Sequence, residues 1–161
     1  MKNKNLSFMT QAAMIAAIYV VLTYIFAPFS FGEVQVRISE ALTILPIFTP
    51  AAIPGLFAGC LIGNILGGAI LPDIVFGSIA TLIGAFFTWK LREQKPVVAT
   101  FPPIISNIII VPFVLRYGYG VTLPIPFMML TVGIGEVISC TVLGLIVYGA
   151  LKKYKSTLFR T

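Results

Sequence analysis

Cationic side chains occupy only a few places along this chain, and that distribution constrains its fold more than any other feature. Of eleven Lys and Arg residues, Lys2, Lys4, Lys90, Arg92, Lys95, Lys152, Lys153, Lys155 and Arg160 fall at the N-terminus, in one central connector and in the C-terminal tail. Long apolar stretches run between these clusters. Of the 161 residues 58% are hydrophobic and 10% charged, against about 25% charged in a soluble domain. The net charge of +6 flanks apolar segments and does not gather on one surface, so it points to a membrane and not to nucleic acid.

A bilayer crossing takes about 20 apolar residues. The chain is read as one all-α integral membrane domain, residues 1–161, with six transmembrane helices over about 8–28, 39–49, 51–70, 73–90, 97–115 and 127–151. Six crossings put both termini on one side. The positive-inside rule makes that side cytoplasmic and leaves Arg37 and Arg116 outside. The second helix is short for a crossing at about 1.5 Å per residue. Paired with the third as a re-entrant hairpin, it would leave four full spans and the same placement of the termini. No A-x-A-like cleavage site follows the first apolar run, so it is expected to be a retained helix and not a signal peptide.

Several functions lose their chemistry here. There is no histidine, which removes the commonest metal ligand and general base. No P-loop sequence is present, no nucleophile–base pair can be assembled, and neither an enzyme activity nor a cofactor or metal is expected. Cys60 and Cys140 lie in apolar runs and read as free packing residues, not a disulfide.

The polar residues inside the apolar runs carry the functional signal. Counted from the outer helix ends, Asn64, Asn107 and Glu136 lie roughly 9, 12 and 13 Å deep, in one layer, with Glu40 and Asp73 just above. Intramembrane carboxylates are costly and mark a cavity, a pathway or a partner. Glu40 after Ser39 and Asp73 after Pro72 also suit first helical turns, and the two asparagines suit interhelical hydrogen bonding. Glu136 has no capping role, although Arg37 or Arg116 dipping inward would pair with it. Gly55, Gly59, Gly63 and Gly67 recur every four residues, a small face for close helix packing, with Asn64 beside that ridge. Ala12, Ala13, Ala16 and Ala17 form a second small face, suited to internal packing or to docking another membrane subunit. Trp89 and Tyr154 suit an interfacial aromatic belt.

The runs VRISEALTILP (36–46), PGLFAGCLIGN (54–64), DIVFGSIATL (73–82) and PPIISN (102–107) resemble the QueT family, substrate-binding (S) components of energy-coupling factor transporters. The resemblance covers about residues 8–151. It implies a multi-pass protein of a bacterial plasma membrane that captures a queuosine precursor, such as queuine or an aminomethyl-deazaguanine. The ligand would pass to a transmembrane coupling protein carrying two ABC-type ATPases, by rotation of the whole S component. The resemblance also favours docking at Ala12, Ala13, Ala16 and Ala17. A guanine-like edge presents adjacent N–H donors, which suits Glu136 as acceptor, with Asn64 or Asn107 on the carbonyl and ring nitrogen. A cationic aminomethyl group suits Glu40 or Asp73. Tyr19, Tyr24 or Phe127 would stack on the ring, and Glu33 with Arg37 would cover the outer mouth. Competing readings are a stand-alone facilitator or proton-coupled carrier using Glu136, an S component for another vitamin-like ligand, a ligand-free structural subunit, and a membrane enzyme.

Overall fold

Apolar helices in lipid gain little from burying oil against oil, so they associate through small residues, close packing and polar contacts. This chain supplies all three. A computed structural model describes residues 4–30 and 36–159, which leaves Lys2, Glu33 and Arg160 outside the described residues. The elements are α1 (Lys4–Ile25), α2 (Ala27–Ser30), a 3-10 helix (Ile38–Ile47), α3 (Ala52–Leu66), α4 (Leu71–Lys90), α5 (Pro96–Ala99), α6 (Phe101–Tyr117), α7 (Ile125–Glu136), a π-helical turn (Val137–Leu143), α8 (Gly144–Lys152) and α9 (Lys155–Leu158). Four helical stretches are long and apolar enough to cross a membrane: Lys4–Ile25, Leu71–Lys90, Pro96–Tyr117 and Ile125–Lys152. The 3-10 helix and α3 are apolar but shorter.

The second segment, short by α-helical measure, is a 3-10 helix. At about 2.0 Å per residue its ten residues cover roughly 20 Å, against roughly 15 Å as an α-helix. Backbone bonds from Glu40 N to Arg37 O and from Phe48 N to Leu45 O, three residues apart, mark this winding at both ends. The eight residues Ser39–Pro46 are all buried, so the segment runs through the middle of the bundle. It lies antiparallel to α1, with Thr23 against Ser39, Tyr19 against Glu40 and Gln11 against Thr49. It packs against both α1 and α3, its Leu45 and Phe48 meeting Ala52 and Leu56.

Winding with three residues per turn stacks side chains at i and i+3. Arg37, Glu40 and Thr43 therefore share one edge. Leu42, Leu45 and Phe48 share another and pack into a core with Ile15, Tyr19, Ala52 and Leu56. Beyond that core, Phe48 stacks between Tyr148 and Phe159, each ring centroid 5.3 Å away.

The glycine ridge of α3 faces α1. A Cβ at Gly55 would meet Ala12 O at 2.7 Å, one at Gly59 would meet Tyr19 Cβ at 2.7 Å and Ala16 Cα at 3.1 Å, and one at Gly63 would meet Thr23 at 3.2 Å. Position numbers rise together on the two helices, so they run parallel. Ala12 and Ala16 are consumed by this contact, whereas Ala13 and Ala17 are exposed. The expected four-alanine docking face is accordingly split: on a helix of 3.6 residues per turn, residues 12 and 16 share one line and 13 and 17 the next. Gly68, at φ +77°, makes the turn into α4, a left-handed conformation natural to glycine.

Opposite, α4 and α6 pack at Gly84, where a Cβ would meet Pro103 Cα at 2.6 Å. Pro102 and Pro103 open α6 and lack N–H groups, so carbonyls one turn earlier lose their helical donors; Thr88 Oγ1 donates to Ala99 O at 2.9 Å. Gly59→Ala should push α1 away from α3 and destabilise the protein by about 1–3 kcal/mol. Gly149→Ala, with nothing within 4 Å of the added methyl, should leave the melting temperature in detergent unchanged.

Candidate functional site

Two tiers of buried polar residues meet at the 3-10 helix. The outer tier centres on an ion pair: Arg37 Nη2 donates to both Asp73 carboxylate oxygens at 3.3 Å, with Arg37 3% and Asp73 0% exposed. Tyr119 Oη donates to Asp73 Oδ2 at 3.0 Å. Burial and the adjacent carboxylate push the Tyr119 phenol up to about 12, which keeps it a donor at neutral pH. Asn64 Nδ2 donates to Asp73 O at 3.3 Å. Gly77 makes room for the cluster, since a Cβ there would lie 2.9 Å from Asp73 Oδ1 and 3.3 Å from Asn64 Nδ2.

The inner tier gathers carboxyl groups. Glu40 is 0% and Glu136 2% exposed, and carboxylate oxygens of both lie with Cys140 Sγ in a cluster whose atoms are within 4.8 Å of one another. Tyr19 Oη hydrogen-bonds to Glu40 Oε1, and Thr81 Oγ1 donates to the same oxygen at 3.3 Å. Glu40 Oε2 and the nearby Ser139 Oγ, both buried, have no hydrogen-bond partner among the described residues. Cys140 Sγ donates to Glu136 Oε2 at 3.2 Å, and Asn107 stands beside the same carboxylate. Thr43 Oγ1 lies 2.6 Å from Glu40 O and 3.5 Å from Cys140 Sγ.

Gly144 N bonds to Ser139 O, five residues back, a π-helical turn of the kind that recurs at functional sites. Glu136 and Cys140, four residues apart, share one face of this stretch and lie with Glu40. Among the described residues neither Glu40 nor Glu136 has a Lys or Arg within ion-pair distance. Arg37 is committed to Asp73, and Arg116, exposed, donates to Val121 O at 3.2 Å; neither cation forms the anticipated pair with Glu136.

Glu136, Asn107, Glu40 and Tyr19 converge, while Arg37, Asp73 and Asn64 form the adjoining tier. The expected depths of two residues are exchanged. Glu40 lies in the Glu136 layer, and Asn64 belongs with Asp73 above. Tyr24 and Phe127 are 65% and 49% exposed and stack on nothing in the centre. Five residues from Tyr19 turn Tyr24 about 140° around α1, and nine residues from Glu136 turn Phe127 about 180° away. Glu33 lies outside the described residues. Thr43, Thr81, Ser139 and Cys140 were missed as site residues. Their signals were the three-residue spacing from Glu40 to Thr43 and the four-residue spacing from Glu136 to Cys140. Cys60 and Cys140 are free and buried, as expected, but both touch the polar network: Thr81 Oγ1 lies 3.4 Å from Cys60 Sγ.

Two carboxyl groups, an amide, a phenol and a thiol brought together inside four long apolar helices define a membrane protein with a polar centre, a costly arrangement that marks function. The chain belongs to the QueT transporter family, which matches residues 9–153. It is 33% identical over 84 residues to the queuosine precursor transporter QueT of Lactococcus lactis subsp. cremoris (strain MG1363), a match covering 51% of this chain and 48% of the relative. The match thus spans about half the length of that relative. No solved structure is significantly similar.

Removing one member of a buried ion pair strands its partner and costs about 3–5 kcal/mol. Arg37→Met should therefore lower the melting temperature sharply, and adding Asp73→Leu should restore most of the loss. A double variant no more stable than Arg37→Met would show that the pair's charge is not what holds the outer tier.

Proposed function

We propose that this chain is the substrate-binding component of an energy-coupling factor importer for a queuosine precursor, and that Glu40 and Glu136 hold the ligand. The observation carrying this reading is the close approach of two buried carboxyl groups that have, among the described residues, no cation at ion-pair distance and no partner for one oxygen of Glu40. Like charges this close, in low dielectric, are unfavourable until something rich in N–H donors or positive charge lies between them. The edge of a deazaguanine supplies that: a ring N–H and an amino group that two carboxylates can accept from both sides. Asn107, able to donate and accept, takes the ring carbonyl, and Tyr19 forms an aromatic wall. Arg37, Asp73 and Asn64 close the outer side of the site.

In this reading α1, the 3-10 helix, α3, α4, α5–α6 and α7–α8 cross the membrane six times in alternating directions. The cation clusters put both termini in the cytoplasm of a bacterial cell. The site then opens outward at the Arg37 end. The exposed Ala13 and Ala17 on α1 offer a small-residue face to a coupling protein carrying two ABC ATPases, which provides the energy.

One observation favours a second reading. A close carboxyl pair readily shares a proton, as a proton-coupled carrier requires; uptake into vesicles without any ATPase would establish that alternative.

Calorimetry on the purified protein with queuine, aminomethyl-deazaguanine, guanine and riboflavin tests the main reading. Tight binding is expected for deazaguanines alone. Glu136→Gln should weaken it by about 2–3 kcal/mol, roughly 30- to 150-fold, while Phe127→Ala leaves it unchanged. Equal affinity in Glu136→Gln and the parent would remove this carboxylate from the site.

A further inference from the structure

The outer surface of α4 and α6 carries a groove unrelated to the polar centre. Two apolar hollows of about 490 and 470 Å³ share Ile109 and Ile110 and so form one channel along the seam between the helices. The second is walled by Ile83, Phe87 and Ile105 and has Lys90 at its mouth. Ile83, Phe87, Ile105 and Ile109 are all substantially exposed, so the groove faces the hydrocarbon.

Its mouth is cationic and held in place. Lys90 Nζ lies 5.3 Å from the centroid of the Trp89 ring and 5.5 Å from that of Phe86. The Arg92 guanidinium lies 4.5 Å from the Trp89 ring, and its Nη1 donates to Trp89 O at 3.0 Å. Cation–π contacts orient both charges without neutralising them. The nearest carboxylate, Glu93, is 84% exposed and 3.7 Å from Arg92, a contact that water screens. Arg92 lines a separate hollow with Trp89 and Lys155, so Lys90 is the cation at the end of the apolar groove. A cation placed there between membrane helices matches an anionic lipid, since basic pockets at helix ends bind such headgroups.

We infer that the α4–α6 groove binds one anionic phospholipid, its acyl chain along Ile83, Phe87, Ile105 and Ile109 and its phosphate at Lys90. Charge complementarity at the mouth selects this occupant over a zwitterionic lipid. The site is independent of the ligand reading above.

Trp89 is the protein's one tryptophan, so it reports on its own neighbourhood. The full chain is reconstituted into phosphatidylcholine vesicles containing phosphatidylglycerol or phosphatidylcholine brominated near the carboxyl end of the chain. Brominated phosphatidylglycerol should half-quench Trp89 at a mole fraction about fivefold lower than brominated phosphatidylcholine, a preference set by the Lys90 cation. The exposed substitution Lys90→Gln should bring the two curves together. Ile105→Phe, which fills the groove and leaves every charge, should do the same. Coincident curves for the parent protein would overturn the inference. So would a preference surviving either change, since retention in Ile105→Phe would mean diffuse surface attraction and not a seated lipid.

Discussion

Ten residues wound as a 3-10 helix through the centre of the bundle set the terms for the rest of the structure. No side chain of Ser39–Pro46 reaches the outside, so every polar group on this segment must be answered by a surrounding helix. Alpha-helical winding would spread Arg37, Glu40 and Thr43 by about 60° per step. Three-residue winding keeps them in line and hands them to different neighbours: Arg37 to Asp73 on α4, Glu40 to Tyr19 on α1 and Thr81 on α4, and Thr43 toward Cys140 in the π-helical turn. Glu40 on the 3-10 helix and Glu136, just before the π-helical turn, thus come together in the centre.

The two tiers differ in composition, and in the proposed function that difference separates scaffold from site. The outer tier answers its carboxylate with a guanidinium and a phenol. The inner tier concentrates acceptors and, among the described residues, leaves one oxygen of Glu40 without a donor. Buried unpaired acceptors are costly in the free protein, and that cost is recovered only when a partner arrives. A centre arranged this way gives up stability for affinity. The close α1–α3 contact holds Tyr19 against Glu40, so packing at Gly59 and polar geometry at the site are linked.

Much of this was legible in the residues. Charge placement located the apolar runs, the every-fourth glycines of α3 correctly read as a packing face, and Glu136 stood out because nothing local explained it. What failed to show was register. Glu40 was read above the polar layer, at the outer end of its helix, and nothing in a short apolar run bounded by Arg37 and Pro46 distinguishes 3-10 from α winding. Tyr24 and Phe127 were named as rings able to stack on a ligand, without regard to the helix face, and the face decides contact. Ala12 and Ala16 looked equivalent to Ala13 and Ala17 until the partner helix was known. Thr43, Thr81 and Cys140 carry no sequence signal as individuals; they matter through the residues opposite them.

The central claim is that the Glu40–Glu136 centre is strained in the free protein and relieved by ligand. Thermal unfolding of Glu40→Gln, with and without a deazaguanine, addresses it directly. Gln keeps the shape and an acceptor for Tyr19 while removing the charge. The account predicts that the ligand-free variant melts higher than the parent and that the ligand-induced rise in melting temperature disappears. A ligand-free variant that melts lower, with the ligand-induced rise intact, would make Glu40 a structural residue and contradict the account.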